Sequence, residues 1–170
     1  ESVAPASVLA ETADNYSISG TGSIVGTASL TKKGDGKLSL LTANKYTGKT
    51  YVNGGTLEIN SIANGGVASS IGASAKAAAN VVLNGGKLSY TGASASTDRG
   101  FTIGALGGGL SISNAATTLS PTGQITGTGR FTKDGAGTLA LSIANNHTGG
   151  TSINAGTISL LNDLANTSGL

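Results

Sequence analysis

Side chains able to carry out chemistry are few in this sequence, and their spacing decides what they can do. His147 is the single histidine. A general base needs a partner that orients it, and neither a Ser/Asp arrangement nor metal-ligand spacing lies nearby. The acids Glu1, Glu11, Asp14, Asp35, Glu58, Asp98, Asp134 and Asp163 stand singly along the chain, whereas glycoside hydrolysis uses two convergent carboxylates. Gly34-Asp35-Gly36 offers an acid at a tight turn, as calcium-binding nonapeptide repeats do at every turn, but the matching Gly135-Ala136-Gly137 lacks it. Absence of Cys excludes thiolate metal sites and disulfides, and the glycine spacings lack the helix that follows a phosphate-binding loop. No catalytic, cofactor-binding or metal-ligating residue is therefore expected, and no cofactor. The chain reads as a non-enzyme.

The remaining polar residues take structural readings. His147 aligns with Tyr46 in an internal repeat, so it is expected to be an outward or corner side chain. Asn44, Asn53, Asn84, Asn145 and Asn154 recur at corners, where Asn tolerates left-handed backbone and hydrogen-bonds along a stack. Asp98-Arg99 is expected to form a local ion pair, worth little if exposed. Lys32, Lys33, Lys37, Lys45 and Lys49 crowd the first repeat, but their counterparts are Lys133, Asp134, Thr138, Asn146 and Gly150. The expectation is a solvated, solubilising face rather than a patch for an anionic polymer, and a net charge of +2 is too small to imply nucleic acid.

What elements would position these residues? With 28 Gly, 2 Pro, 4% aromatic and 11% charged residues, against about a quarter charged in an ordinary domain, the composition suits tight turns and closely stacked strands. It offers little for packing helices on one another. The stretches Ile18–Ile59 and Leu119–Leu160 align without a gap, Gly34 falling on Gly135, a shift of 101 residues. Within them Leu38 and Leu40 flank Ser39, Leu57 and Ile59 flank Glu58, Leu139 and Leu141 flank Ala140, and Ile158 and Leu160 flank Ser159. Such alternation gives each strand one dry and one wet face. A dry face this small must stack on neighbouring repeats.

Gly34 with Gly36, and Asn53-Gly54-Gly55, mark the corners. A two-residue loop at Asn53-Gly54 would favour an antiparallel hairpin, but similar corners recur at long range without crossover helices, which favours coiling. The fold class is accordingly all-β, a parallel β-helix with coils of roughly 20 to 30 residues, about six to eight rungs and a length of about 30 to 40 Å. The whole of residues 1–170 reads as one β-helical segment. Residues 1–17 are expected to be an irregular start leading to a first strand near Tyr16–Ser19, and residues near 60–80 a loop or insertion leaving the body. No run of 18 apolar residues occurs; a chain without Met or a basic leader is expected to be a processed or excised segment of something larger.

The stretches LTKKGDGKLSLLTANKYTGKTYVNGGTLEI and FTKDGAGTLALSIANNHTGGTSINAGTISL resemble the autotransporter-associated β-strand repeat, also called the passenger-associated transport repeat. The segments SSIGAS, LNGGKLSYTG, STDR and FTIG resemble sequence that accompanies it. His147 in place of Tyr, Ala155 in place of a corner Gly and Lys37 in place of Thr depart from its pattern. The resemblance implies a right-handed coil and a large bacterial polypeptide exported to the extracellular space or the outer-membrane surface.

The function expected from these observations is that of a non-enzymatic structural or adhesive surface protein, a β-helical stalk or fibre segment able to stack end to end. Partners compatible with it are a second copy, end to end or side by side, and surface glycans; nucleic acid is not expected, and neither is a membrane span. Two alternatives remain from the residues alone. One is a polysaccharide-binding or polysaccharide-cleaving β-helix, the other a segment that assists secretion or folding of an autotransporter passenger.

Overall fold

A computed structural model describes residues 1–161 of the chain. The chain coils into a parallel β-solenoid of about seven turns, with three faces. The first face stacks Ser7–Glu11, Ser29–Lys33, Thr50–Val52, Val81–Leu83, Phe101–Ile103 and Ile125–Gly127. The second stacks Tyr16–Ile18, Lys37–Leu40, Thr56–Ile59, Lys87–Tyr90, Gly108–Ile112, Phe131–Asp134 and Thr151–Ile153. On the third, Ser2–Val3 pairs with Ser23–Ile24, and Ala95–Thr97, Thr118–Pro121, Thr138–Leu141 and Thr157–Leu160 form a second sheet above them. Every ladder between these strands is parallel. Asn53-Gly54 turns a corner between faces and closes no hairpin.

Alternation within each strand becomes rows inside the coil. On the second face Leu38, Leu57, Leu88 and Leu110 lie in register, beside a row of Ile18, Leu40, Ile59, Tyr90 and Ile112. On the first face Val8, Leu30, Thr50 and Val81 line up below Phe101 and Ile125. All but Val8 and Ile18 are buried. At roughly 1.5–3 kcal/mol for each large apolar side chain removed from water, these rows and the ladder hydrogen bonds hold the rungs together.

The N-terminal residues depart from expectation. In place of an irregular lead-in, Ser2–Val3 and Ser7–Glu11 already form strands, the latter in five-residue register with Ser29–Lys33. Its alternation is legible in Val8 and Ala10, which are half-buried over Leu30 and Lys32. Residues 60–80 contain one short 3₁₀ turn, Ala78–Asn80. They replace a strand on the third face: Asn44 and Ser69 exchange backbone hydrogen bonds, Ala73 N–H donates to the Tyr46 carbonyl, and Ile62 and Ile71 are buried in the core.

Candidate functional site

The corners carry the most specific chemistry. Lys32 falls in the inward row between Ala10 and Val52, and Lys133 between Leu110 and Ile153. Both are fully buried. Each side chain runs inside the coil, and its ammonium emerges just beneath the next corner. Lys32 Nζ donates to the carbonyls of Lys33 and Gly34, and Lys133 Nζ to those of Asp134, Gly135 and Ala155 at 2.7, 2.8 and 3.2 Å. Burial lowers both lysine pKa values, and the nearby Asp35 and Asp134 charges oppose that shift. Lys32 therefore corrects the reading of a uniformly solvated lysine face. The alternation that sends Leu30 inward sends Lys32 inward too, so the signal was in the sequence. Charge type obscured it. Within the Gly34-Asp35-Gly36 corner, the Gly34 carbonyl accepts from this ammonium and the Gly36 carbonyl from Thr56 N–H.

His147, expected to be an outward or corner side chain, is buried, 2% exposed. Its Nε2 shares a hydrogen bond with Thr151 Oγ1 at 2.8 Å, and its ring meets Phe131 edge-on at 5.7 Å. Nδ1 is buried without a hydrogen-bond partner. Burial lowers the pKa of the ring, and the Ile125 backbone acts more weakly in the opposite direction. In the first repeat Tyr46 Oη is 2.8 Å from Thr50 Oγ1, and burial pushes the phenol up to about 12 against the Thr50 bond and the Arg99 charge. Two unlike side chains thus make the same i to i+4 contact. The retained threonine was the sequence signal.

Arg99, expected in a local ion pair, is 1% exposed and bonds chiefly to carbonyls. Nε donates to Ala63 O at 2.9 Å, Nη1 to Ser74 Oγ at 2.8 Å and Nη2 to Gly72 O at 3.0 Å. Asp98 Oδ1 meanwhile accepts from Gly65 N–H at 2.7 Å. The pair fastens residues 60–74 to the coil above. Burial lowers the Arg99 pKa while Tyr46 and Asp98 oppose it. Asn44 and Asn145 receive the Ile24 and Ile125 N–H groups on Oδ1 at 2.9 and 2.7 Å, and Asn84 receives that of Leu106 at 3.0 Å. Asn154 instead bonds to Asp134, and Asn53 reaches the coil below through its backbone.

Two of the half-buried acids are held by partners. Glu58 is tied to Lys37 at 3.0 Å and to Ser39, and Asp134 to Lys87 at 3.1 Å and to Asn154. Burial tends to raise both carboxyl pKa values, and those bonds outweigh it, so both are lowered. Glu1, Glu11, Asp14 and Asp35 are exposed, and Asp163 lies outside the described residues. Among the described residues no three His, Cys, Asp or Glu side chains converge where a metal ion could be held. No helix there is long and apolar enough to cross a membrane. Three of the ten Lys and Arg side chains, Lys32, Arg99 and Lys133, are buried.

The exterior does contain an open groove of about 580 Å³ along the corner between the first and second faces. Gly55, Gly85, Gly86 and Gly107–Gly109 floor it, with Thr56, Lys87, Leu106, Arg130, Thr132 and Asp134 on its walls.

A parallel solenoid with lysine-clasped glycine corners is the class these features define. The passenger-associated-transport-repeat family profile matches residues 30–59 and 131–160, and the chain is a protein of that repeat family. Over 154 residues it is 51% identical to the adhesin BmaC autotransporter of Brucella suis biovar 1 (strain 1330), a match covering 89% of this chain and 4% of that relative. No solved structure matches.

Proposed function

We propose that this chain is a non-enzymatic, adhesive segment of a bacterial surface passenger: one stretch of a longer β-solenoid that holds its exterior away from the cell and meets its partner there. Identity of 51% to an autotransporter adhesin over most of the chain carries this reading. The structure supports it physically, because Lys32, Arg99, Lys133 and His147 are held in internal hydrogen bonds while stacked backbone ladders make a stiff rod. The inward residues Tyr16, Ile153 and Leu160 are exposed at the two ends of the described solenoid, which suits continuation by further coils, from the same chain or a second copy. The same relationship supports a location at the bacterial surface or outside the cell.

The test is adhesion by the 170-residue chain itself. Beads coated with it should bind cultured animal cells well above albumin-coated beads; equal binding would sink the adhesive reading. Incubation with neutral and acidic glycans should release no product. Turnover abolished by Asp134→Asn would replace this reading with the polysaccharide-cleaving one.

A further inference from the structure

We infer that the glycine-floored groove is a binding site for an extended, uncharged polysaccharide lying along the rod axis. The inference rests on the adhesive reading above and names the ligand class for it. The groove crosses successive coils, from Asp35 past Gly55, Gly86 and Gly108 to Asn154. Rungs are ~4.8 Å apart, close to the length of one pyranose in an extended chain, so successive sugars meet successive coils in similar surroundings.

Three observations select the ligand. First, the floor has no side chains but its backbone is engaged. Lys87 N–H donates to Gly55 O, Gly85 N–H to Gly107 O, Gly109 N–H to Gly86 O and Gly108 N–H to Arg130 O. A peptide strand would find no free ladder to extend, so recognition must come from the walls. Second, the walls are balanced in charge, with Lys87 and Arg130 against Asp35 and Asp134. Lys87 and Asp134 already neutralise one another across the Gly109 rung. A polyanion would meet Asp35 and Asp134, a polycation Lys87 and Arg130, whereas neutral hydroxyls can both donate and accept. Third, Arg130 has no side-chain partner among the described residues, and Leu106 is 75% exposed on the rim. The guanidinium supplies unspent donors, and the leucine an apolar surface for the hydrophobic face of a sugar ring.

The test is a titration of the ¹⁵N-labelled 170-residue chain with cellohexaose, maltohexaose and hexagalacturonate. A neutral hexaose should shift the amides of Gly85, Gly86, Gly107–Gly109 and Thr132. Leu106→Asp, at an exposed position, should weaken that binding at least about tenfold, equivalent to 1.4 kcal/mol, while Lys45→Glu on the third face should leave it unchanged. Three outcomes overturn the proposal: no shift with either neutral hexaose, shifts confined to another face, or binding of hexagalacturonate alone that disappears in Arg130→Glu. Bead adhesion separates this from the broader reading. Groove binding without adhesion would overturn the adhesive role and keep the ligand class; adhesion without groove binding would do the reverse.

Discussion

The repeats at 30–59 and 131–160 make the same contacts on different faces of the coil. Lys32 and Lys133 clasp equivalent corners, and Asn44 and Asn145 hold equivalent N–H groups. Tyr46 and His147 bond equivalent threonines. Yet Ser29–Lys33 lies on the first face and Phe131–Asp134 on the second, while Lys37–Leu40 lies on the second and Thr138–Leu141 on the third. The second repeat is the first carried along the rod and turned by one face. The repeat is therefore a unit of packing between adjacent coils, indifferent to which face carries it. A surface feature repeated in sequence would wind around the rod, so the two repeats together do not form one continuous strip.

The repeats also differ in support. Val52 and Leu57 are fully buried, but their counterparts Ile153 and Ile158 are 49% exposed and half-buried respectively. The largest contrast should appear at the corner glycines. Gly55, at φ +55°, has Gly36 O and Gly34 O at 2.3 and 2.5 Å from where a Cβ would stand; Gly156, at φ +68°, has Gly135 O and Gly137 O, both at 2.4 Å. Gly55→Ala should cost about 3–5 kcal/mol from combined backbone strain and overpacking. Gly156→Ala should cost roughly half that, because its coil is less enclosed. Urea unfolding with hydrogen exchange measures both, and equal losses would show that enclosure does not matter.

Next come the buried ammonium groups. Lys32→Met keeps the apolar stem and leaves corner carbonyls unpaired, for an expected loss of about 2–3 kcal/mol. Lys133→Met leaves three carbonyls unpaired around an equally buried position and should also lose about 2–3 kcal/mol. Protection of the Gly36 and Gly137 amides against exchange reports each locally.

His147 offers a smaller, pH-dependent test. Burial lowers its folded pKa below the unfolded value, so the unfolded chain takes up the proton first. Stability at this coil is full above pH ~6.5 and falls as pH drops through that value toward the lower folded pKa. His147→Tyr should abolish this dependence and stabilise the coil by about 1 kcal/mol, since it restores the first repeat's contact and removes the unpaired Nδ1. A pH-independent wild type would refute the assignment. The smallest effect belongs to the Lys37–Glu58 pair, whose counterparts are Thr138 and Ser159. Lys37→Thr should change stability by less than about 0.5 kcal/mol, and not at all in molar salt, because the partners are 39% and 22% exposed.

Much of this architecture was legible locally. Leu38-Ser39-Leu40 and Leu57-Glu58-Ile59 announce strands with one dry face, and the glycines announce corners, because period-two alternation and left-handed turns depend on a few adjacent residues. The same grammar ran through Ser7–Glu11, but its small residues disguised it. Lys32 and Arg99 were misplaced for another reason: a cation belongs outside unless carbonyls surround it, and the carbonyls around Arg99 come from Ala63 and Gly72, far away in sequence.

By itself, then, the sequence determined that this protein is built from alternating strands and glycine corners in two copies set 101 residues apart. Only the tertiary structure decided where those copies face. Angular position accumulates over every intervening coil, and the coils are unequal: Leu57 reaches its partner Leu88 only after residues 60–80 have crossed the third face, a longer circuit than the one from Leu38 to Leu57. A local pattern fixes each rung, whereas the phase between distant rungs depends on every circuit between them.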